Sequence, residues 1–145
     1  MSEAPSPRAP HPGLAVDVVT PEGSAYSGPA TSVVVPAHDG EVAFFPQHAP
    51  FVAAVGLGEL RVRTPAGETL RWYLEGGVVQ VVDDQVAVLA EHVLPAAEVD
   101  AAEAEAALRE ALAAVPTTEE AFAARDRLSD SARARLSIAR RPPAP

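Results

Sequence analysis

The apolar pattern of this chain changes period once, near Pro95, and that change limits the fold to a sheet followed by helices. Over residues 14–90, short β-branched runs are separated by Gly, Pro and Asp, and apolar positions alternate with polar ones. Leu60 and Val62 alternate with Glu59, Arg61 and Arg63, while Leu70, Trp72 and Leu74 alternate with Thr69, Arg71 and Tyr73. Pro65-Ala66-Gly67-Glu68 joins these runs as a hairpin, and Asp83-Asp84 joins the strand at 78–82 to that at 85–90 in the same way. Gly76-Gly77, inside an apolar run, reads as a bulge or tight bend, and Gly56-Leu57-Gly58 reads as a turn. Strands this short and closely spaced imply a sandwich or barrel with Trp72 and Leu74 facing its core.

After Pro95 the chain becomes Ala- and Glu-rich and the period becomes helical. Asp100 is an N-cap for a helix to about Val115, with Ala104, Leu108, Ala111, Leu112 and Val115 on one stripe. Pro116 breaks it. Thr117 with Glu120 forms a capping box for a second helix to about Arg140, whose stripe is Ala121, Ala124, Leu128, Ala132, Leu136 and Ala139. So short a connection makes the helices antiparallel neighbours, and their Ala-rich faces bury little area. At about 25 cal/mol per Å² such a seam is marginal, which makes the hairpin a candidate moving part.

Composition excludes several classes. The 145 residues give room for one domain and an appendage. There is no Cys, so no disulfide framework or thiolate metal site exists, and all 11 basic residues are Arg, which removes a Walker A or Schiff-base lysine. A net charge of −9 opposes nucleic-acid binding. No apolar run approaches the roughly 18 residues that span a bilayer, so the expected chain is soluble or held at a membrane through partners. Residues 1–13, Pro-rich and without a signal-like core, read as a disordered tail, which makes a bacterial cytoplasm the default compartment.

Catalytic chemistry is scarce. His11 lies in the tail, and His38, His48 and His92 are isolated, without the spacing that puts two metal ligands on one helix face. His38-Asp39 with Ser24 or Ser27 could be drawn as a triad, but no Gly-x-Ser-x-Gly elbow supports it. No catalytic residue, metal site or cofactor is expected. The second helix instead concentrates Arg125, Arg127, Arg133 and Arg135, suited to bidentate pairing with carboxylates.

One segment carries more information. Gly40-Glu41-Val42-Ala43-Phe44-Phe45-Pro46-Gln47-His48-Ala49-Pro50-Phe51 holds a His on a stiff loop between two prolines at a strand end. With Gly58-Glu59-Leu60-Arg61-Val62, Leu74-Glu75-Gly76-Gly77-Val78-Val79-Gln80-Val81 and Val86-Ala87-Val88-Leu89-Ala90 following in order, it resembles the signature of the ε subunit of F-type ATP synthases. Gly40, Glu41, Pro46, His48, Ala49 and Pro50 match as they stand. Ala43, Gln47 and Phe51 depart, and Gln47, where the family has Gly or Asn, suggests a looser turn.

The resemblance implies a β-sandwich over residues 14–91, an antiparallel α-helical hairpin over 92–141 and a short tail at 142–145. It implies a non-catalytic rotor subunit that couples proton flow to ATP synthesis and opposes hydrolysis through its helices. The implied partners are the γ subunit and the membrane c-ring, through Gly40, Glu41, Pro46 and His48. Arg125, Arg127, Arg133 and Arg135 would transiently meet the catalytic α/β subunits at the cytoplasmic face of a bacterial inner membrane. The (Ile/Leu)-Asp-x-x-Arg-Ala motif of nucleotide-binding members aligns on 120–125, where Ala121 and Ala124 occupy the Asp and Arg positions, so no ATP site is expected. His48 reads equally as a structural histidine fixing its loop. A rival reading, a stand-alone carbohydrate-type recognition sandwich with a helical oligomerisation tail, needs exposed aromatics, for which only Tyr26 and Tyr73 are candidates.

Overall fold

A computed structural model describes residues 13–141. The expected tails therefore lie outside the described residues except for Gly13, and His11 lies outside with them. Seven strands, β1 (Leu14–Thr20), β2 (Gly23–Ala30), β3 (Ser32–Ala37), β4 (Gly40–Phe44), β5 (Phe51–Arg63), β6 (Thr69–Val82) and β7 (Gln85–Pro95), form one hydrogen-bonded sheet in the order β2-β1-β7-β6-β5-β3-β4. Both ends of that order contribute to one core: Leu14, Val16 and Val18 of β1 are buried in the same cluster as Val33 and Val35 of β3 and Phe44 of β4. The sheet thus closes over itself as a β-sandwich, and two helices follow, α1 (Ala101–Ala113) and α2 (Glu119–Arg140).

Both expected hairpins are present. Arg63 pairs with Thr69 across the Pro65 turn, and Val82 pairs with Gln85 across Asp83 and Asp84, whose φ angles of 48° and 61° match the right-handed twist of the strands they join. Gly56-Leu57-Gly58 is not a turn, because β5 runs straight through it. The sequence pattern is misleading there since the glycines serve a different purpose.

In β5, β6 and β7 the buried positions change parity along the strand. Buried residues are Val55, then Leu60 and Val62, in β5; Trp72 and Leu74, then Val79 and Val81, in β6; and Val86, Val88 and Ala90, with Val93 packed behind them, in β7. Each switch falls between the row Val55, Gly77, Ala90 and the row Gly58, Leu74, Val93. Pairing keeps the same register on both sides, so no strand is bulged against its neighbour and the three take an irregular step together. Gly76 at φ 69° and Gly77 at φ 136° supply the backbone conformation, and a Cβ on Gly77 would come within 2.1 Å of the Leu89 carbonyl oxygen. The expected bend is therefore a shared step across three strands, and it lets them curl while keeping apolar side chains on the concave side.

β7 continues past Glu91 to Pro95 because Leu74, Tyr73 and Trp72 still offer pairing partners. A single 3₁₀ turn, Ala96–Glu98, leads to α1, where the Asp100 carboxylate accepts from the Ala102 and Glu103 amides. The cap of α2 is Thr118 rather than Thr117, its hydroxyl accepting from Ala121 N–H, so no Thr117–Glu120 box forms. Arg140 lies 3.8 Å from Glu105, which fixes the antiparallel sense of the helices.

Replacing Gly77 with Ala should lower unfolding free energy by about 2–3 kcal/mol, since the added methyl meets backbone that cannot move aside. Gly56→Ala, whose methyl would make only ordinary contacts at 3.5 Å, should cost far less. Denaturant titration of the two proteins checks the difference.

Candidate functional sites on the convex side

The glycine step divides the convex side of the sheet in two. Paired residues share a face, so below the step that side carries Val19, Leu89, Val78 and Ala54 in one row across β1, β7, β6 and β5. The next row holds Asp17, Ala87, Gln80 and Val52. Val52 is 67% exposed and Leu89 52%, with Val19, Val78 and Val82 also open. A four-strand apolar surface left uncovered on a folded protein marks a docking face.

Beside that half lies the Pro-bounded loop. The His48 ring packs edge-on against Phe44 and Phe51, with centroids 5.1 and 5.9 Å away, and its Nδ1 lies 2.7 Å from the Ala49 carbonyl oxygen. His48 is thus a structural wedge that holds the loop. Gln47 sits at φ 68°, so the chain turns as tightly as a Gly would allow and the looser turn expected from its side chain does not occur. Its amide donates to Asp84 Oδ1 at 2.6 Å, a charge-assisted bond from the neighbouring hairpin that offsets the left-handed strain. Gly40 and Glu41 lie at the opposite end of β4, the last strand in the sheet, so Gly40, Glu41, Pro46 and His48 are strung along one edge and do not converge on a point.

Above the step the convex side is polar and carries α2. Tyr73, alternating away from the core, is 1% exposed because α2 covers it, and its hydroxyl shares a 2.6 Å hydrogen bond with Ser131. Buried Glu59 is held by three guanidinium groups. Arg71 Nε and Nη2 donate to Oε2 at 2.9 and 2.6 Å, whereas Arg61 Nη1 at 2.9 Å and Arg141 Nη1 at 2.6 Å share Oε1. Arg61 Nη1 also lies 2.7 Å from Glu41 Oε2, and Arg71 Nη2 donates to the Ile138 carbonyl at 2.9 Å, neutralising the carbonyl end of α2. Burial pushes the Glu59 pKa up, but hydrogen bonds from Arg61 and Arg71 and the charges of Arg71 and Arg141 outweigh it and hold the carboxyl below its ordinary range. Burial pushes the Tyr73 hydroxyl up to about 12 despite the Ser131 bond.

The apolar stripe expected on α2 faces inward except at Leu128: Ala132 and Leu136 are buried and Ala121, Ala124 and Ala139 half-buried. The helix's buried residues are Ser129, Ser131, Ala132, Leu136 and Ile138, while Leu128 is 62% exposed. Ser131 is inside because it answers a buried tyrosine, Ser129 donates to the Asp126 carbonyl within the helix, and none of residues 119–128 is fully buried. On α1 only Ala104 and Ala111 are buried, and Leu112 and Val115 are exposed, so the connection end of the hairpin is loosely covered. Arg125, Arg127, Arg133 and Arg135 do not share a face. At about 100° per residue they fall on two opposed flanks, Arg125 with Arg133 and Arg127 with Arg135, Arg125 and Arg135 being half-buried and Arg127 and Arg133 exposed, and among the described residues none lies within 4.0 Å of a carboxylate.

A cavity of about 350 Å³ lies between the sheet and the start of α1, lined by Glu75, Glu98, Asp100 and Glu103 with Arg135 and His92 among others. Its carboxylates outnumber its cations, which opposes a polyphosphate. No group of three potential metal ligands occurs among the described residues. Nor does a Ser-His-Asp arrangement: Ser27 donates to Asp17 on β2–β1, and His38 lies on the β3–β4 turn at the other end of the sheet. Neither tyrosine that a carbohydrate module would use is free, since Tyr73 is buried and Tyr26 packs at a tilt against Trp72 with centroids 5.7 Å apart.

Residues 13–96 match the family model for the ATP synthase delta/epsilon chain β-sandwich domain. The ATP synthase epsilon chain of Nitrosospira multiformis is 38% identical over 125 residues, covering 85% of this chain and 84% of that protein. The ATP synthase epsilon chain 1 of Methylococcus capsulatus is 37% identical over 124 residues, covering 86% and 84%. Among solved structures, a chain of the Euglena gracilis mitochondrial ATP synthase, in an assembly of OSCP, F1 and c-ring, superposes with a TM-score of 0.80 at 17% identity over 92% of this chain and 85% of that one. A chain from the Tetrahymena thermophila mitochondrial ATP synthase central stalk and c-ring gives 0.67 at 16% over 88% and 96%.

Two groups of opposite linkage bound the pH range in which α2 stays docked. The lowered pKa of Glu59 gives stability that is present above the usual carboxylate value of 4.5 and lost as pH falls through the folded value. The raised pKa of Tyr73 gives stability present below 10 and lost as pH climbs toward 12. Amide exchange in α2 should accordingly accelerate at both extremes, with Glu59→Gln removing the acid limb. The tyrosinate absorbance lost in Tyr73→Phe should be the part that develops only near pH 12.

Proposed function

The chain belongs to the ATP synthase delta/epsilon-chain family, and from that membership we propose how its two convex half-faces divide the work of a central-stalk subunit. The observation that carries the reading is the separation itself: an open apolar half beside a loop braced by Asp84, and a polar half covered by a helix that docks mainly through polar contacts. The apolar rows around Leu89, Val78 and Val52 dock on the γ subunit. The β4 edge, from Gly40 and Glu41 to Pro46 and His48, faces the c-ring. No helix among the described residues is long and apolar enough to cross a membrane, so the chain is held at the cytoplasmic face of the bacterial inner membrane through these partners. It couples proton flow to synthesis on the catalytic subunits without performing the chemistry.

The hairpin opposes hydrolysis by leaving the sheet and meeting the catalytic α/β subunits. Unpaired Arg127 and Arg133 are available at once, and Arg125 and Arg135 become so on release. Exposed Leu112, Val115, Phe122 and Leu128 add apolar area at the connection end. The acidic cavity supports the absence of an ATP site on the folded hairpin.

Leu89→Glu together with Val78→Glu should leave the isolated protein folded, because both side chains lie on the open side of the sheet outside the core, yet abolish its retention with γ and the c-ring on purified membranes. Normal retention of that protein would remove the apolar half-face from the interface. The protein with Arg125, Arg127, Arg133 and Arg135 replaced by Ala should assemble normally and show raised ATPase activity, with moderate salt reproducing part of the rise. Unchanged hydrolysis would make the hairpin an appendage and not a brake.

A further inference from the structure

Glu41 at the sheet edge and the last turn of α2 are joined by an unbroken line of ion pairs that crosses β4, β3, β5 and β6. We propose that Arg61 is a shared contact through which engagement of Glu41 loosens the docking of α2. The inference deepens the role proposed for the β4 edge and rests on that reading for its biological sense, although the coupling itself is a property of the isolated chain.

The sign follows from atom sharing. One nitrogen of Arg61, Nη1, serves both Glu41 Oε2 at 2.7 Å and Glu59 Oε1 at 2.9 Å. Oε1 is also the oxygen that Arg141 uses at 2.6 Å, whereas Arg71 has Oε2 to itself. While Glu41 draws on Arg61, Oε1 is left largely to Arg141, and the end of α2 is tied down. When a cationic partner group takes Glu41, Arg61 turns wholly to Glu59 and competes with Arg141 for one oxygen. The positive charge around Glu59 is then less compensated, and Arg141, whose side chain is 48% exposed against 11% for Arg71, is the member free to leave. Departure of the Arg141 side chain leaves only Arg71 as a tie between this cluster and the end of α2, through Nη2 to the Ile138 carbonyl at 2.9 Å and a longer Nη1 contact to the Arg141 carbonyl at 3.5 Å. The contact that seats the sheet edge on a partner therefore weakens the hold on the helix.

The test is hydrogen–deuterium exchange of the full-length isolated protein, read over the last turns of α2. Glu41→Gln, which removes the competing claim on Arg61, should speed exchange there by about threefold, the size of one half-exposed ion pair. Arg141→Ala, a surface change with no folding risk, should do at least as much. Arg61→Gln should leave exchange unchanged or slower, and adding Glu41→Gln to it should have no further effect, because the shared contact is gone. Unchanged exchange in Glu41→Gln, or an undiminished Glu41→Gln effect in the Arg61→Gln background, would overturn the proposal. Neither result would bear on membrane assembly of the Leu89→Glu, Val78→Glu protein, so failure of the coupling and failure of the docking reading remain distinguishable.

Discussion

The shared glycine step across β5, β6 and β7 is the constraint on which the rest of the molecule depends. Strands of 13, 14 and 11 residues cannot curl into a closed two-layer core if every residue keeps strict alternation. Gly77 takes a conformation with positive φ at a point where a side chain would strike the backbone of β7. Because the three strands step in register, pairing lapses only at the row of Gly56, Gly76 and Glu91 and resumes unshifted beyond it, and the concave side stays apolar on both halves. In β5 and β6 the same step turns odd-numbered residues outward above it and even-numbered ones below it, and in β7 the parity is reversed. One chemical consequence is a polar half-face built from Glu59, Arg61, Arg71 and Tyr73, next to an apolar one built from Val52, Val78 and Leu89.

The polar half explains how a weak hairpin stays folded down. Its helices bury few large side chains, Leu136 and Ile138 being the main ones, so apolar area alone contributes little. Tyr73 with Ser131, Arg71 with the Ile138 carbonyl, and Glu59 with Arg141 carry the specificity instead. Polar contacts of this kind are close to balanced against solvation, typically about 0.5–1.5 kcal/mol net for a neutral hydrogen bond. An apolar interface would hold the helix more firmly and would leave a sticky surface on opening. A polar one can be exchanged for water or for a partner at modest cost.

Much of the fold was legible in the sequence because it rests on local rules. Alternation located the strands, Pro65 to Glu68 and Asp83-Asp84 located the hairpins, and Asp100 located a helix start. What escaped depends on long-range pairing. Gly56 and Gly58 look like a turn until Val55 is known to pair with Gly77 and Gly58 with Leu74 in one continuous strand, and Thr117 looks as good a cap as Thr118 by spacing. The face of α2 was misjudged at Leu128 because a binary pattern scores Ser129 and Ser131 as solvent-facing, and only the buried hydroxyl of Tyr73 reverses that. Tyr73 and Glu59 themselves gave no signal, since each alternates away from the core and their cover arrives about 60 or more residues later in the chain. The motif at 40–51 showed where a partner edge would be, but its split between the two ends of β4 required the register.

The Pro-bounded loop and the helix embody opposite solutions to the cost of association. The loop spends strain at Gln47 and ties it off with Asp84, while His48 fills the space between two phenylalanines, so little ordering remains when a partner arrives. The helix keeps its cationic groups either in water or in shared pairs, so its release needs only a small bias from outside. Placing loop and helix on one side of the sheet, with the glycine step between them, keeps the two mechanical demands in one small domain, while Arg61 links Glu41 at the β4 edge to Glu59, which Arg141 at the end of α2 also holds.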